Sequence, residues 1–396
     1  MKKKLAIITT HPIQYNAPLF SLLKNRGNID LHVFYTWGES VMEKKFDPGF
    51  GASIEWDIPI LKGYNYTFLE NIAKKKGSDH FAGINNPGII DAILAYKPNA
   101  ILIYGWAFKS HLRVLRYFKG RVPLLFRGDS TLIDGRGGIK DKCRMIFLKW
   151  VYRHIDKALY TGKNNYDYYR AAGLAEDRLV FVPHSVDNQR FGEGDQGKKG
   201  VVENIRGDMG IKTTDFVFLF SGKLEQKKSP GLLIKTFCDA RFGETVHLVL
   251  VGEGPMGTEL RDQYAGYSQV HFTGFVNQSR MPAFYHTADV VVLPSGGPGE
   301  TWGLAINEAM ACGKPVIVSD HCGCAADLVQ NDSNGYIFIS GNSTSLAEKM
   351  SLLYRKGKNI KEMGKVSLKI ISEFSMEKAA EGIENAVLNS QSYTNQ

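Results

Sequence analysis

The chain has 396 residues, too many for one ordinary hydrophobic core, so two domains are expected. Hydrophobic residues make up 43% of it and charged residues 22%, which is typical of a soluble globular protein. No apolar run approaches the roughly 20 residues of a membrane-spanning helix, and the apolar stretch Leu5–Ile8 is too short for a signal peptide. We therefore expect a cytoplasmic protein, with peripheral attachment to the cytoplasmic face of a membrane as the alternative.

The formal charge of +9 is unevenly distributed along the chain. Residues 1–190 contain 29 Lys and Arg against 17 Asp and Glu, a balance of +12, which leaves −3 for the remainder. This asymmetry indicates that the first half faces something anionic. On charge alone, nucleic acid, an anionic membrane, a phosphorylated acceptor and a merely solvated basic surface all remain open.

Apolar strands and amphipathic helices alternate along the whole chain. Strands are predicted, in order, at Leu5–Thr10, Leu31–Tyr35, Ala100–Tyr104, Pro123–Phe126, Lys157–Thr161, Leu179–Val182, Phe216–Ser221, Val246–Val251, Val270–Thr273, Val290–Leu293, Pro315–Ser319 and Tyr336–Phe338. Helices between them are predicted at Pro18–Asn25, Gly88–Ala95, Ser229–Ala240 and Leu304–Cys312. This order predicts an α/β protein made of two Rossmann-like, doubly wound parallel sheets that face each other across a cleft. The polar, glycine-rich residues 185–200 mark the boundary between domains 1–190 and 191–372.

Polar and aromatic residues follow strands of the first domain at their carboxyl ends, where parallel sheets bind their ligands. They are His11, Gln14, Tyr15, Trp106 and Arg127. A histidine at such a position is a candidate for proton transfer, although a lone histidine is commonly structural. Arg127 is a candidate for contact with an anionic acceptor, with an ion pair to a neighbouring acid as the alternative. We expect this group to bind the acceptor.

The segment Lys140–His154 mixes basic residues with a run of apolar ones. A basic amphipathic helix of this kind lies on a membrane in some proteins. More often such a helix packs its apolar face on the sheet, and we favour packing here.

Two lysines follow the first strand of the second domain. Lys223 and Lys228 are five residues apart after the strand Phe216–Ser221, so they can bracket a diphosphate at its carboxyl end. Considered alone, they are explained equally well by an exposed basic turn. Their combination with the next motif favours the phosphate site.

Two glutamates, Glu300 and Glu308, flank a Trp-Gly-Leu turn that opens a helix. A helix N-terminus attracts anions through its backbone N–H groups and its dipole. One carboxylate therefore lies beside a phosphate site, and the other lies further along the helix. This layout matches the sugar, the diphosphate and the ribose of a nucleotide-sugar.

Two other motifs are set aside. Gly252–Gly257 reads G-x-G-x-x-G, the fingerprint of NAD-dependent dehydrogenases, but it follows the second strand of its domain and no acid follows about 20 residues later. Its glycines are better explained as letting the backbone approach a nucleotide. His321–Cys324 holds two of the five cysteines but lacks the second ligand pair of a zinc site, so we expect buried thiols and no metal.

Taken together, these motifs resemble glycosyltransferase family 4, the retaining, two-lobed GT-B transferases. The resemblance covers most of the second domain. It rests on Ser221–Leu224 with Lys228, Leu250–Pro255, Phe272–Val276, Ala288–Ser295, Asn334–Ile337 and the segment with the two glutamates. In the first domain it is weaker, because His11–Tyr15 stands where family members often carry a Gly-Gly pair.

The resemblance implies a role for each matched position. Lys223 and Lys228 would hold the donor diphosphate, although the family usually has arginine at the first of them. Glu300 would contact the donor sugar and Glu308 the ribose, while backbone groups would meet the phosphates and the base. The donor-binding set is then Gly222, Lys223, Lys228, Gly252, Val276, Glu300, Thr301, Trp302, Gly303, Leu304 and Glu308. The catalytic candidates are Glu300, Lys223, Lys228 and His11. A helix at Met376–Asn389, within 373–396, would cross back to the first domain.

We therefore predict a retaining glycosyltransferase that moves a hexose-type sugar from a nucleoside-diphosphate sugar to an acceptor hydroxyl, in surface polysaccharide or glycolipid assembly. The basic first domain favours a saccharide or lipid-linked acceptor and an anionic membrane surface. No nucleic-acid partner, cofactor or metal is expected. A sugar-nucleotide epimerase or another GT-B enzyme is the alternative, but it would need cleft acids in the first domain, where we find few. A non-catalytic binding module would have little reason to keep both glutamates and both lysines.

Overall fold

The computed structural model describes residues 2–38, 45–47, 52–135, 138–193, 199–391 and 393, so residues 194–198 of the predicted boundary lie outside the described residues. The chain divides into two compact units. Unit 1 comprises Met1–Lys45, Pro59–His184 and Met376–Gln396. Unit 2 comprises Phe46–Ile58 and Ser185–Ser375.

Unit 1 is built around a seven-stranded sheet whose pairings are all parallel. Its strands are β1 (Lys3–Thr9), β2 (Ile29–Tyr35), β5 (Asn65–Phe68), β6 (Ala100–Tyr104), β7 (Leu124–Arg127), β8 (Lys157–Tyr160) and β9 (Leu179–Phe181). Its helices are α1 (Asn16–Arg26), α2 (Ile89–Tyr96), α3 (Lys109–Phe118), α4 (Ile139–Tyr152), α5 (Lys163–Ala171) and α15 (Met376–Leu388). The strand order is β5-β2-β1-β6-β7-β8-β9.

The sheet of unit 1 is buried on both faces. Successive side chains of a strand point to opposite faces, and in β1 both sets are apolar. Leu5 and Ile7 belong to a core cluster formed with α1 and α15, whereas Ala6 and Ile8 belong to a second cluster formed with α2, α3, α4 and α5. This explains why β1 reads as an unbroken apolar run.

The C-terminal helix α15 closes the first of these core clusters. Its Glu384 is 3% exposed, and a buried carboxylate requires partners. Arg26 Nη2 donates to Glu384 at 2.9 Å and Asn28 Nδ2 donates to it at 3.0 Å. Gly382 allows close packing on β9, since a Cβ there would lie 2.4 Å from the carbonyl oxygen of Phe181.

Unit 2 contains a six-stranded parallel sheet. Its strands are β10 (Phe216–Ser221), β11 (Val246–Val251), β12 (Val270–Gly274), β13 (Val290–Leu293), β14 (Val316–Ser319) and β15 (Gly335–Phe338). Its helices are α6 (Asn188–Gly192), α7 (Lys199–Asp208), α8 (Pro230–Ala240), α9 (Gly257–Gln263), α10 (Met281–Thr287), α11 (Leu304–Ala311), α12 (Ala325–Leu328), α13 (Ser343–Lys356) and α14 (Ile360–Ser372). The strand order is β12-β11-β10-β13-β14-β15.

All twelve predicted strands are observed, each within two residues at either end. The structure adds three strands that the sequence pattern did not indicate. Two of them, β3 (Lys45–Asp47) and β4 (Ala52–Ile54), form a small separate sheet. The third, β5, lies at the edge of the unit 1 sheet and is mostly exposed, so it lacks the apolar run by which the others were recognised.

Candidate functional site

The direction in which the chain adds strands to the unit 2 sheet reverses at one place. The chain runs outward from β10 to β11 and β12, then returns to β13 on the other side of β10 and continues to β14 and β15. Ligands of doubly wound sheets bind where this reversal occurs, at the carboxyl ends of the strands. The loops after β10 and β13 meet at this position. They carry Lys223, Lys228 and Glu300.

The structure brings Lys228 and Glu300 into direct contact. Lys228 Nζ donates to Glu300 Oε2, and Ser295 Oγ donates to the same oxygen at 2.9 Å. Both charged side chains are largely buried, with exposed fractions of 18% and 9%. A charge-assisted contact of this kind in a partly dry environment fixes both groups. Lys223 lies half-buried in the same loop as Lys228.

Glycines allow the loops after β10 and β11 to pack closely. Gly252 has φ +136°, and a Cβ there would lie 2.0 Å from the carbonyl oxygen of Gly222. At Gly254 a Cβ would lie 2.6 Å from the carbonyl oxygen of Leu224. These glycines of the G-x-G-x-x-G motif therefore bring one protein loop against another. An approach of their backbone to a nucleotide stays a prediction.

The loop after β13 leads into α11 through a left-handed glycine. Gly303 has φ +105°, and a Cβ there would lie 2.7 Å from Cδ2 of Leu293. Trp302, 4% exposed, donates from Nε1 to Asn307 Oδ1 at 2.7 Å. The Trp-Gly-Leu turn is thus locked at the start of α11, where a helix dipole is most positive. Thr301 immediately precedes this turn, and Leu304 is the first residue of the helix.

The loop after β14 packs against the loop that carries Glu300, here called the glutamate loop. Gly323 N donates to the Glu300 carbonyl and Cys324 N donates to the Trp302 carbonyl, both at 3.0 Å. A Cβ at Gly323 would lie 1.7 Å from the carbonyl oxygen of Thr301, so only glycine fits there. The loop from Ser319 to Cys324 therefore acts as a backing for the residues predicted to bind the donor.

The two cysteines of this backing loop are buried thiols. Cys322 and Cys324 are free and fully buried. Burial and the neighbouring Glu300 charge raise the pKa of Cys322 to about 12, so the thiol stays protonated at neutral pH. Within the described part of the chain, no group of three or more His, Cys, Asp or Glu is placed to hold a metal ion.

Glu308 lies one helical turn into α11 and is 3% exposed. Tyr285, from α10, donates its hydroxyl to Glu308 Oε2 at 2.7 Å. Tyr285 is itself fully buried, and it was not singled out from the sequence because it lies 23 residues away on another helix. The contact of Glu308 with a ribose stays a prediction. Val276, the predicted base contact, lies half-buried in the loop between β12 and α10.

In unit 1, the corresponding reversal of strand order falls between β1 and β6. His11 lies directly beyond β1 and Trp106 lies beyond β6, so the two flank this position. The Thr10 hydroxyl lies 3.0 Å from His11 Nδ1, and the His11 ring meets the Trp37 ring edge-on at 5.5 Å between centroids. Gln14 forms part of the turn that leads from β1 into α1.

Tyr15 precedes the first residue of α1 at the end of that turn. Its position beside the β1 loop keeps it near the carboxyl end of the sheet. An acceptor contact by Gln14, Tyr15, His11 or Trp106 stays a prediction.

Arg127 is 6% exposed at the end of β7, where it binds backbone. Its Nη1 donates to the carbonyl of Val182 at 2.8 Å and its Nη2 donates to that of Pro183 at 3.1 Å. These bonds give Arg127 a structural role at the end of β9. The sequence predicts an anionic acceptor or a neighbouring acid as its partner and does not point to these carbonyls, and the contact with an acceptor stays a prediction. Burial and the Arg127 charge lower the pKa of the nearby His184 to about 3.

His111, on α3, was not recognised from the sequence. It is fully buried, its Nδ1 lies 3.0 Å from the Gly105 carbonyl, and its Nε2 lies 3.0 Å from the Thr36 hydroxyl. A carbonyl only accepts, so Nδ1 carries the ring proton. Burial lowers the pKa of His111 to about 4, and the neutral ring joins the loops that follow β2 and β6.

Helix α4 has a buried side and an apolar exposed side. Leu148, Val151 and Tyr152 pack into the core, as the favoured interpretation of this segment predicts. Four other apolar residues of the helix face solvent, with exposed fractions of 81%, 70%, 41% and 36%. They are Ile139, Ile146, Phe147 and Trp150. Exposed lysines and an arginine lie between them. The exposed surface of α4 is in contact with Trp106, because the ring centroids of Phe147 and Trp106 lie 5.2 Å apart.

Comparison with known proteins shows what part of the chain is similar to them. Residues 201–369, most of unit 2, match the family model of the glycosyl transferases group 1. A glycosyltransferase of Methanocaldococcus jannaschii is 33% identical over 147 residues, 36% of this chain and 37% of that protein. The D-inositol 3-phosphate glycosyltransferase of Nocardia farcinica is 25% identical over 53% of this chain and 47% of its own length. The chain thus spans less than half the length of these curated relatives.

The fold extends over the whole chain. The crystal structure of HepE from Anabaena, in complex with UDP, matches 98% of this chain and all of HepE with a TM-score of 0.73, at 18% sequence identity. The protein therefore has the GT-B fold. The family-model match confirms the predicted resemblance to glycosyltransferases for residues 201–369. Among the described residues, no helix is both long and apolar enough to cross a membrane.

Proposed function

We propose that this protein is a retaining glycosyltransferase that moves a hexose-type sugar from a nucleoside-diphosphate sugar to an acceptor hydroxyl. The observation that carries the proposal is the pairing of Lys228 with Glu300 in the loops that follow the neighbouring strands β10 and β13. At this one point a cation, a carboxylate and a helix N-terminus converge. These are the groups that bind a diphosphate with an attached sugar.

Relatives support the donor class. The relatives compared above are called glycosyltransferases, and HepE was crystallised with UDP. A nucleoside diphosphate in unit 2 would place its phosphates beside Lys223 and Lys228, against the first turn of α11. Glu300 would then face the hydroxyls of the sugar, and Val276 would face the base.

In this proposal the residues around the diphosphate stabilise the leaving group. When the bond between the sugar and the diphosphate breaks, negative charge grows on the phosphate oxygens. Lys223, Lys228 and the N–H groups at the start of α11 meet that charge with fixed positive charge and dipoles. The proposal requires neither a side-chain nucleophile nor a metal ion. His11 is the proposed carrier of the acceptor proton.

For the acceptor we propose a saccharide carried by a lipid, in surface polysaccharide or glycolipid assembly. Support comes from unit 1, where α4 exposes isoleucine and aromatic side chains among basic residues. Apolar side chains interleaved with cations fit an anionic membrane surface. The ring contact from Phe147 to Trp106 joins this surface to the loop after β6, where the acceptor residues are predicted.

Turnover with defined donors tests the reaction. Purified protein is incubated with UDP-, GDP- and ADP-hexoses and a lipid extract, and the product is analysed by NMR. We expect one donor to be consumed and the new glycosidic bond to keep the donor's anomeric configuration. Glu300→Gln keeps the shape of the side chain and is expected to abolish transfer. An inverted product would refute retention, and consumption of none of the donors would refute the transferase itself.

A further inference from the structure

A short segment from the first half of the chain belongs to unit 2. Residues 46–58 lie between β2 and β5 in sequence, yet they group with unit 2. Residues 55–57 of this segment contact the loop 275–280, which joins β12 to α10 and includes Val276. No motif in the sequence points to this contact, because its partners are about 220 residues apart.

The contact consists of several hydrogen bonds between two short stretches. Asn277 Nδ2 donates to the Glu55 carbonyl at 2.6 Å, and Asp57 N donates to Asn277 Oδ1 at 3.4 Å. Ser279 N donates to Asp57 Oδ1 at 3.0 Å, and the Ser279 hydroxyl donates to Asp57 Oδ2. The carboxylate of Asp57 thus binds both donors of one residue, and hydrogen bonds to a charged group are the stronger kind.

An aromatic contact accompanies the hydrogen bonds. The Trp56 ring lies 6.5 Å from the Phe275 ring, centroid to centroid, and Trp56 is partly buried. Phe275 and Asn277 are the two neighbours of Val276 in sequence. Segment 55–57 therefore holds the residues on both sides of the predicted base contact.

The loop 275–280 needs such support because of its position. It follows β12, which is the edge strand of the unit 2 sheet among the described strands. Arg190 from α6 supports it elsewhere, with Nη1 donating to the Gln278 carbonyl at 2.5 Å and Nη2 donating to Gln278 Oε1 at 2.9 Å. Loops that lack neighbours on one side are the mobile parts of a fold unless they are held in place.

We propose that Trp56 and Asp57 are positioning residues of the base site, which fix loop 275–280 so that the backbone at Val276 presents a constant hydrogen-bonding pattern to the donor's base. The inference rests on the proposed function, since it assumes a nucleotide donor in unit 2. It adds to that function a determinant of base selectivity contributed by residues from the first half of the chain.

The position of the loop separates this effect from the diphosphate site. In the sheet order, β11 and β10 lie between β12 and β13. The hydrogen bonds of the diphosphate site join Lys228 and Ser295 to Glu300, in the loops after β10 and β13. None of these hydrogen bonds involves segment 55–57. Loss of the Asp57 contacts is therefore expected to affect base binding and to spare phosphate binding.

The test compares ligands with and without a base. UDP, GDP, ADP and inorganic pyrophosphate are titrated into wild type, Asp57→Ala, Asp57→Asn and Asp262→Ala. Asp262 is an exposed aspartate on α9 and serves as the matched control. We expect Asp57→Ala to raise the Kd of the preferred nucleotide about tenfold, as for loss of a charge-assisted hydrogen bond. Its preference among bases should fall, and its pyrophosphate affinity should stay unchanged.

Turnover provides an independent measure. Asp57→Ala is expected to raise KM for the donor with kcat retained, and Asp57→Asn, which keeps an acceptor for Ser279 N, should recover part of the affinity. Equal nucleotide affinity in Asp57→Ala and Asp262→Ala, or an equal loss of pyrophosphate and nucleotide binding, would overturn this inference alone. Failure of wild type to bind any of the nucleotides would overturn the proposed function and this inference with it.

Discussion

Glu300 Oε2 accepts from both Lys228 and Ser295, and this double contact has a consequence for ligand binding. The lysine is held by a carboxylate from the loop after β13, although Lys228 itself lies in the loop after β10. Its ammonium group is therefore preorganised at the point where a diphosphate would gain charge. Preorganised charge in a partly buried site stabilises a leaving group without reorganisation at the moment of reaction.

We expect Lys228→Met to lower kcat by a factor of about 100 to 1,000, as for removal of one group that stabilises developing charge. The matched control is Lys227→Met. Lys227 is the adjacent residue, but its ammonium pairs with Glu225 at 3.4 Å and its side chain is 43% exposed. An exposed pair contributes little. Equal activities of the two variants in a donor-turnover assay would contradict the role given to Lys228.

His111 leads to a prediction about pH. Its pKa in the folded protein is about 4 against an ordinary value of 6.5. Between these values the unfolded chain binds a proton that the folded protein does not, so stability falls as pH decreases from 6.5 to 4. The full effect is up to about 3 kcal/mol, since each pKa unit corresponds to about 1.4 kcal/mol.

Urea unfolding of wild type and His111→Gln between pH 4 and 7 measures this effect. Glutamine can donate and accept at similar positions but does not titrate, so the variant should lose less stability over this range. Parallel pH profiles for the two proteins would show that His111 is not the group responsible.

At the residue scale, the sequence identifies some site residues and not others. The candidates Lys223, Lys228 and Glu300 are recognisable because each lies in the loop after a buried strand, within a known motif. Tyr285, Asp57 and His111 could not be found in this way. Each contacts a residue on another element that is distant in sequence, and only folding brings the two together.

At the scale of elements, the loop after β14 supports the loop that carries Glu300 through backbone packed directly against backbone. A Cβ on Gly323 would lie 1.7 Å from the Thr301 carbonyl oxygen and 3.1 Å from the Trp302 nitrogen. These are backbone atoms, so no side-chain rotation relieves the overlap. Any substitution at Gly323 must displace the loop that carries Glu300.

We therefore expect Gly323→Ala to weaken nucleotide binding at least about tenfold, or to destabilise unit 2 by about 1–3 kcal/mol through overpacking. Gly207→Ala on α7 is the control, because nothing lies within 4 Å of a Cβ at that position. Calorimetric titration with nucleoside diphosphates and thermal unfolding measure the two effects. Wild-type values for Gly323→Ala in both would contradict the proposed support.

The elements themselves were predictable where the sheet is buried. Strands such as β6, β10 and β11 were located without error because both of their faces are covered and their sequences are continuous apolar runs. Strand β5, at an exposed edge, carries no such run. The small sheet of β3 and β4 was also missed, and with it the contact of Asp57, which follows β4 in the chain, with the loop after β12.

At the scale of the whole molecule, the excess of basic residues and the exposed apolar side of α4 lie in the same half of the chain. Residues 1–190 carry a balance of +12, and the four exposed apolar residues of α4 lie in this region. An anionic membrane attracts basic residues by about 1 kcal/mol each when they lie near its surface. We expect the protein to bind anionic vesicles and not neutral ones, with affinity that falls as salt is added.

Vesicle sedimentation with Ile146→Gln and Ile339→Gln separates a specific surface from general stickiness. Ile146 is 70% exposed on α4, whereas Ile339 is 59% exposed in unit 2. If Ile146 is buried in the membrane on binding, its replacement is expected to weaken vesicle binding about fivefold or more. If the two variants bind anionic vesicles equally well, α4 is not the membrane-facing surface.

A nucleotide-sugar site in the loops after β10 and β13 would bind a nucleoside diphosphate directly, and titration measures this binding. UDP, GDP and ADP are titrated by calorimetry, without metal, into wild type and Lys223→Ala. Such a site requires micromolar binding of one nucleotide by wild type and its loss in the variant. Binding of none of the three, or binding that Lys223→Ala leaves unchanged, would contradict it.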